Sequence, residues 1–268
     1  MSLSDGFRYG RNSFSETALA AVVCAAGSSI RMGGSKKEYL LLPGASNSLT
    51  VLGAAVSAFA AVPEIGTIVI VVPEDTETGE AAARNALPPE IVNGTSPAVR
   101  FVTGGSTRRA SVFNALRALA TCAPEYVLIH DGARPWISPA LIERVITGVT
   151  QYRAVIPLLP LTETPKETDL PLDGSFAAGP VFIKRQLKRI FIGTAQTPQA
   201  FAFPEILAAH EKAAVQEGSR EFTDDAEVWA EFCGPVAAIP GEIGNHKITF
   251  PEDLVCPKDI SCPKDMVC

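Results

Sequence analysis

The sequence has no excess of positive charge and no long apolar run. Its 23 lysine and arginine residues are outnumbered by 29 aspartate and glutamate residues, which gives a formal net charge of -6 at pH 7. An acidic chain without aromatic platforms argues against nucleic-acid binding. No apolar run approaches the roughly 20 residues that cross a bilayer, and the N-terminus is unlike a secretory signal. We therefore expect a cytoplasmic protein that binds neither nucleic acid nor membranes.

Standard cofactor motifs are also missing. The six cysteines are scattered and show no metal-ligand spacing, so we interpret them as reduced thiols. The small-residue stretch over residues 20–40 contains neither a Walker A motif nor a three-glycine dinucleotide fingerprint. A nucleotide site in this stretch would need a different kind of loop.

Predicted strands and helices alternate along most of the 268 residues. This alternation predicts an α/β, Rossmann-like fold with a mostly parallel sheet flanked by helices and a ligand crevice at the carboxyl ends of the strands. We expect residues 18–255 to form this domain, residues 1–17 to be a disordered arm or a segment added for expression, and residues 256–268 to be an irregular tail. The predicted strands include 20–25, 67–72, 98–102, 154–159 and 236–239, and the predicted helices are 48–59, 74–86, 138–151, 204–217 and 224–232.

A loop of small residues follows the first predicted strand and is a candidate phosphate site. Residues 26–29 read AGSS, so their backbone N–H groups can approach an anion closely. Arg31, Lys36 and Lys37 then place cations beside them, which suits a nucleoside triphosphate. We call residues 26–37 the phosphate loop. The alternative is a plain strand-to-helix turn of an open α/β sheet.

Two more strand ends carry polar residues toward the same predicted crevice. The third strand runs into Gly104 and Gly105, and residues 106–111 open a helix whose N–H groups and hydroxyls can contact a base edge. The strand YVLIHD ends in Asp131, with Arg134 shortly after. One carboxylate is enough to anchor Mg²⁺ on a triphosphate. The alternatives are a plain helix N-cap and an Asp131–Arg134 ion pair that only stabilises a turn.

Five segments, in order, resemble the cytidylyltransferases of sugar-alcohol phosphates, chiefly the 2-C-methyl-D-erythritol 4-phosphate cytidylyltransferases. They are AAGSSIRMG with KKEYL, TGGSTRRASV, HDGARP, AQTPQAF with TDDAEV, and NHKIT, and together they cover roughly residues 20–254. That family usually has glycine at the position of Ser29, proline at that of Lys36 and glutamine at that of Glu38. His246 also replaces an apolar residue.

The resemblance implies roles for individual residues. Implied nucleotide-binding residues are Ala25, Ala26, Gly27, Ser29, Gly105, Ser106 and Ser111, with Arg108 beside them. Implied catalytic cations are Arg31, Lys37 and Lys247. The acceptor would be held by Asp131, Arg134, Thr164, Arg189 and Thr197, and Asp131 would also hold Mg²⁺. The implied reaction is attack by the acceptor's phosphate on the α-phosphorus of CTP with loss of pyrophosphate, catalysed by positioning and charge stabilisation without a covalent enzyme intermediate.

The proline-punctuated stretch over residues 159–193 interrupts the regular pattern. A projecting segment of this length is usually functional or used in assembly. Its short apolar pieces, such as VFI and IFI, would expose hydrophobic surface on a monomer, so we expect a homodimer. The resemblance implies a dimerisation arm that carries Arg189 into the partner subunit's site.

Several alternatives stay open at this point. Ribitol-5-phosphate cytidylyltransferase uses the same nucleotide machinery on another acceptor. A non-catalytic nucleotide-sensing module is suggested by the departures from the family pattern and would not release pyrophosphate. Asp224 and Asp225 either serve the site or favour the start of a helix, for which Thr223 is a plausible N-cap. Whether residues 242–245 supply a second metal ligand is also open.

Overall fold

The computed structural model describes residues 18–29, 32–33, 35–43, 49–75, 78–172, 179–216 and 222–254. The predicted arm over residues 1–17, the tail over residues 256–268 and the catalytic candidate Arg31 lie outside the described residues. Among the residues that are described, no helix is both long and apolar enough to cross a membrane.

Ten strands and seven α-helices are formed by the described residues. The strands are β1 (Leu19–Cys24), β2 (Ile65–Val72), β3 (Ala98–Thr103), β4 (Tyr126–Asp131), β5 (Ala154–Pro160), β6 (Lys166–Thr168), β7 (Ile183–Gln186), β8 (Gly193–Ala195), β9 (Gln199–Ala202) and β10 (Ala237–Pro240). The helices are α1 (Val51–Ala60), α2 (Glu80–Asn85), α3 (Pro89–Val92), α4 (Arg108–Leu119), α5 (Pro139–Tyr152), α6 (Phe203–Val215) and α7 (Asp225–Phe232). Short 3-10 turns cover Lys37–Tyr39, Arg189–Phe191 and Pro251–Leu254.

The main sheet has the order β10-β5-β9-β4-β1-β2-β3, with β8 added beside β5. Strands β4, β1, β2 and β3 pair in parallel, as do β10 and β5, whereas β9 is antiparallel to both of its neighbours. Helices pack on both faces: Val23 of β1 belongs to the core under α1 and α5, and Val22 to the core under α4, α6 and α7. Burial on both faces explains why β1 and most of β2 are continuously apolar. The predicted α/β fold is confirmed.

Some local predictions were wrong. The helix predicted over residues 74–86 is shortened to α2, because the Asp75 carboxylate accepts a hydrogen bond from the Thr78 N–H at 2.7 Å and holds a turn there. The N-cap of α7 is Asp224, whose Oδ1 accepts from the Glu227 N–H at 2.9 Å, and not Thr223. Strand β9 was not predicted, because its four residues lie within a segment that shows no clear periodicity of apolar and polar residues.

The segment predicted to be an arm contains a small separate sheet. Strands β6 and β7 pair antiparallel to each other and not with the main sheet. Large apolar side chains on this segment are exposed, among them Phe182, Ile190 and Phe191 at 67%, 85% and 80%. The described part of the segment therefore has apolar surface that no other described residue covers.

Candidate active site

The carboxyl ends of β1, β3 and β4 border a cleft of about 560 Å³. This is the edge at which a parallel α/β sheet binds its ligands. Most of the residues predicted to serve a nucleotide lie here. The predicted residues that line the cleft are Ala26, Gly27, Ser29, Lys37, Gly105, Ser106, Ser111, Asp131 and Lys247.

Residues 26–29 of the phosphate loop follow β1 and border the cleft. Ala25 lies below the loop, fully buried, and its N–H donates to Val71 O at 2.8 Å. Ser29 has a φ of 51°, a left-handed conformation that favours glycine. Its Oγ accepts a hydrogen bond from the Lys37 N–H at 3.3 Å, which connects the start of the loop to the 3-10 turn in which the loop ends. The loop therefore has the backbone shape for which a glycine at position 29 would be suited.

The turn between β3 and α4 packs directly against the phosphate loop. A Cβ on Gly104 would lie 2.6 Å from the Ala26 Cβ, so a larger residue would push the two loops apart. Ser111 Oγ accepts from the Gly105 N–H at 3.0 Å. The N-cap of α4 is Thr107, so capping does not account for Ser106, which stays exposed to the cleft.

Asp131 is surrounded by three cations at the floor of the cleft. Its Oδ2 lies 2.9 Å from Lys247 Nζ and 3.5 Å from Arg134 Nε, and its Oδ1 lies 3.8 Å from Arg108 Nε. Burial alone would raise the pKa of this carboxyl, but Lys247, Arg108 and Arg134 together lower it well below its ordinary value. Asp131 therefore carries a negative charge throughout the neutral pH range.

Arg108 connects the cleft to the buried start of α7. Its Nη1 donates to Asp225 Oδ2 at 2.8 Å, and the Asp225 side chain is 1% exposed. Burial would raise the pKa of Asp225, but Arg108 lowers it, with His210 contributing. Asp224 instead caps the helix and accepts from Gln199 Nε2 at 2.8 Å. Of the two acidic residues left open by the sequence, only Asp225 is coupled to a residue that lines the cleft.

The segment that carries Lys247 is held against the phosphate loop by backbone contacts. Lys37 Nζ donates to Ile248 O at 2.7 Å, and the Ile248 N–H donates to Ala133 O at 2.9 Å. Arg134 Nη1 donates to Asn245 O at 2.7 Å. Lys37 thus contacts this segment from the phosphate loop, and Lys247 lies on the segment itself. Arg134, which is 9% exposed, contacts the same segment through Asn245 O.

Thr197 lies under the cleft and not in its lining. It is 5% exposed, and its Oγ1 accepts from the Asp131 N–H at 3.0 Å and contacts His130 Nδ1 at 3.1 Å. His130 is fully buried, and burial lowers its pKa to about 4. A neutral ring with its proton on Nε2 satisfies both this contact and the one to Arg134 O at 3.1 Å. In this chain the Thr197 hydroxyl fixes the backbone of Asp131.

The other two acceptor candidates lie on the projecting segment. Thr164 and Arg189 are exposed, and Arg189 donates a hydrogen bond to Thr162 O. Neither borders the cleft formed by the described residues of the same chain.

A thiol also borders the cleft. Burial raises the pKa of Cys24 to about 12, so the thiol stays protonated and is a poor nucleophile. A covalent intermediate on this cysteine is therefore disfavoured.

The residues present fit a metal ion only when it is shared with phosphates. No group of three histidine, cysteine, aspartate or glutamate side chains within the described part of the chain could hold a metal by itself. Mg²⁺ bound to a triphosphate needs only one or two carboxylates, and the ionised Asp131 meets this requirement. Glu242 is not positioned as a second ligand, because its carboxylate accepts from Ser138 Oγ and Arg144 Nη2, both at 2.7 Å.

Comparisons with known proteins agree with the sequence resemblance. The family model described as "IspD: 2-C-methyl-D-erythritol 4-phosphate cytidylyltransferase" matches residues 19–260. The bifunctional enzyme IspD/IspF of Bradyrhizobium sp. (strain ORS 278) is 41% identical over 239 residues, which are 88% of this chain and 54% of the relative. The enzyme of the same name from Bartonella henselae is 36% identical over 240 residues, 88% of this chain and 55% of that protein. This chain spans about half the length of the curated relatives that it matches.

Solved structures resemble the chain over most of its length. The 4-diphosphocytidyl-2C-methyl-D-erythritol synthase from Anaerococcus prevotii has a TM-score of 0.69 and 29% identity, covering 88% of this chain and 92% of that one. The 2-C-methyl-D-erythritol 4-phosphate cytidylyltransferase from Thermus thermophilus has a TM-score of 0.64 and 28% identity, covering 87% of this chain and 94% of that one.

Proposed function

The chain belongs to the IspD family, the 2-C-methyl-D-erythritol 4-phosphate cytidylyltransferases, and on this premise we propose that it transfers CMP from CTP to 2-C-methyl-D-erythritol 4-phosphate. Pyrophosphate is the second product, and the reaction is a step of isoprenoid precursor synthesis by the non-mevalonate route. The observation that carries the proposal is the ionised Asp131 among three cations, at the floor of a cleft bordered by the phosphate loop.

The proposed reaction needs no group on the enzyme to become covalently attached. A phosphate oxygen of the acceptor forms a bond to the α-phosphorus of CTP, and the bond from that phosphorus to the pyrophosphate oxygen breaks. Lys37 and Lys247 stabilise the negative charge that develops on the transferring group, and we assign the same role to Arg31. Catalysis would therefore come from the positive charge of these residues and from the positioning of the two substrates.

Asp131 would hold Mg²⁺, which neutralises charge on the bound phosphates. In the structure the Asp131 carboxylate forms ion pairs with Lys247, Arg134 and Arg108. Gly105, Ser106 and Ser111 would contact the cytosine from the turn before α4. A cytoplasmic location is part of the same proposal.

The acceptor residues on the projecting segment would act in a homodimer. The exposed apolar side chains of this segment supply surface for association through a two-fold axis. Arg189 would then reach the acceptor phosphate bound by the other subunit, and Thr164 on the same segment would also contact the acceptor. The proposal is supported by the position of Arg189, which does not border the cleft formed by the described residues of its own chain.

Mixed dimers test this arrangement. Arg189→Ala and Lys37→Ala chains should each be nearly inactive alone, whereas their heterodimer contains one site with both defects and one with neither. Coexpression with separable tags should recover about half of the wild-type activity per heterodimer if the sites are independent. No recovery in a folded heterodimer would place Arg189 in its own subunit's site or outside any site.

Pyrophosphate release tests the activity itself. Purified protein with CTP, Mg²⁺ and 2-C-methyl-D-erythritol 4-phosphate should release pyrophosphate, and ribitol 5-phosphate at the same concentration serves as the competing acceptor. Faster release with ribitol 5-phosphate would reassign the acceptor. No release with any polyol phosphate would favour a nucleotide-sensing module.

A further inference from the structure

Three residues of the phosphate-loop region that depart from the usual family pattern contact one another. Lys36 Nζ lies 3.1 Å from Glu38 Oε2, and Ser29 Oγ donates to the same carboxylate oxygen at 3.4 Å. The side chains of Lys36 and Glu38 are only 8% and 4% exposed. We call Ser29, Lys36 and Glu38 the clasp. A buried ion pair of this kind is sensitive to the loss of either partner.

The clasp also binds the backbone of the phosphate loop. Lys36 Nζ donates a hydrogen bond to Gly27 O. In a planar trans peptide the C=O and the N–H point in opposite directions, so the Ser28 N–H faces away from Lys36. Ser28 lines the cleft, and no other described residue takes up its N–H. Lys36 therefore determines the direction in which this donor points.

We propose that the clasp positions the Gly27–Ser28 peptide so that the Ser28 N–H binds a phosphate of CTP. The proposal rests on the proposed function and adds a positioning role for Lys36 and Glu38. Glu38 neutralises Lys36 and keeps its ammonium on Gly27 O. The positive charge that meets the triphosphate then comes from the catalytic cations and not from Lys36, while the loop contributes a preorganised donor.

Replacement of Glu38 separates positioning from simple charge attraction. If only charge mattered, Glu38→Leu would make the cleft more positive and strengthen CTP binding. If the clasp positions the loop, the same variant should weaken CTP binding about tenfold, the effect of one hydrogen bond to a charged group. Glu38→Gln keeps an acceptor for Lys36 and should recover most of the lost affinity. Tighter binding by Glu38→Leu, or equal binding by both variants, would overturn the proposal.

Lys36→Met tests whether the effect is confined to phosphate recognition. Calorimetric titration should show CTP binding weakened about tenfold or more, while cytidine, which lacks phosphates, binds as it does to the wild type. An equal loss for both ligands would indicate general damage to the site and contradict a positioning role. For Glu38→Leu the matched control is Glu80→Leu, since it removes a carboxylate from the exposed Arg84 pair on α2, outside the cleft lining.

The double variant Lys36→Met/Glu38→Leu guards against a folding artefact. Removing both charges leaves no buried ion unpaired, so thermal stability should be close to that of the wild type. CTP binding should still be weak, and unchanged binding by this variant would refute the clasp. A wild-type protein that fails to bind CTP at all would instead refute the proposed function, so the two failures are distinguishable.

Discussion

Replacing Asp131 by Asn should destabilise the protein as well as inactivate it, because this carboxylate is the shared partner of three cations. Arg108 keeps a second partner in Asp225, but no other ion pair within the described residues serves Lys247 or Arg134. Breaking a buried ion pair costs about 3 to 5 kcal/mol. Lys247 is 39% exposed and can regain water, so we expect a smaller loss of about 2 kcal/mol in the free energy of unfolding. This corresponds to a decrease of about 4 to 8 °C in Tm for a domain of this size.

The pH dependence of this loss provides a sharper test. The pKa of Asp131 is lower in the folded protein than its ordinary value of 3.8, so ionisation favours the folded state. Its contribution is fully present above the unfolded pKa and is lost as the pH falls through the lower folded pKa. The difference in unfolding free energy between wild type and Asp131→Asn should therefore be constant from pH 5 to pH 8, and it should shrink below about pH 4.

Urea denaturation followed by tryptophan fluorescence measures this difference, with Trp136 and Trp229 as buried reporters. The exposed Glu90→Gln variant removes one charge at a surface position and controls for net charge. Equal stability of wild type and Asp131→Asn at pH 7, or a difference that persists unchanged to pH 3, would refute the electrostatic account of the cleft floor.

Three further predictions concern individual residues. Lys37→Ala and Lys247→Ala should lower kcat by about 10²-fold or more and weaken CTP binding less, which steady-state kinetics and calorimetry would measure. Near-normal turnover by either variant would contradict its assignment as a catalytic cation. Asp224→Ala should lower the free energy of unfolding by about 1 kcal/mol because it removes an N-cap, whereas Asp225→Ala should lower it by about 3 kcal/mol because it breaks a buried ion pair. Equal losses for the two variants in urea denaturation would contradict this distinction. Thr197→Val should lower the free energy of unfolding by about 1 to 3 kcal/mol, because it leaves the buried Asp131 N–H without this acceptor. An unchanged Tm would assign the Thr197 hydroxyl to another role.

The position of the site could be predicted from the sequence, because the carboxyl ends of parallel strands lie at the same edge of a sheet. Residues that directly follow an apolar run, such as Gly105 after β3 and Asp131 at the end of β4, must meet at one edge of a parallel sheet. The residue types at those ends then indicated a phosphate ligand. Lys247 could be placed there only by resemblance, since it follows a short strand at the far end of the sheet.

Contacts between distant parts of the chain were not predictable in this way. Arg108 and Asp225 are 117 residues apart, and the acidic start of α7 had a sufficient local explanation in the helix dipole. Strand β9 enters the sheet antiparallel between β4 and β5, a pairing that no periodicity within four residues can indicate. The sequence also could not show that the Thr197 hydroxyl is buried beneath Asp131, because burial there depends on how β9 pairs with β4.

The position of bond cleavage in CTP tests the central claim most directly. Phosphorus NMR of a reaction with CTP, Mg²⁺ and 2-C-methyl-D-erythritol 4-phosphate should show pyrophosphate together with two coupled resonances from a new diphosphate linking cytidine to the acceptor. The Lys247→Ala protein should form this product far more slowly under the same conditions. Conversion of CTP to CDP and inorganic phosphate by the wild-type protein would contradict transfer of CMP by this cleft. A spectrum in which the wild-type protein leaves CTP unchanged would contradict it as well.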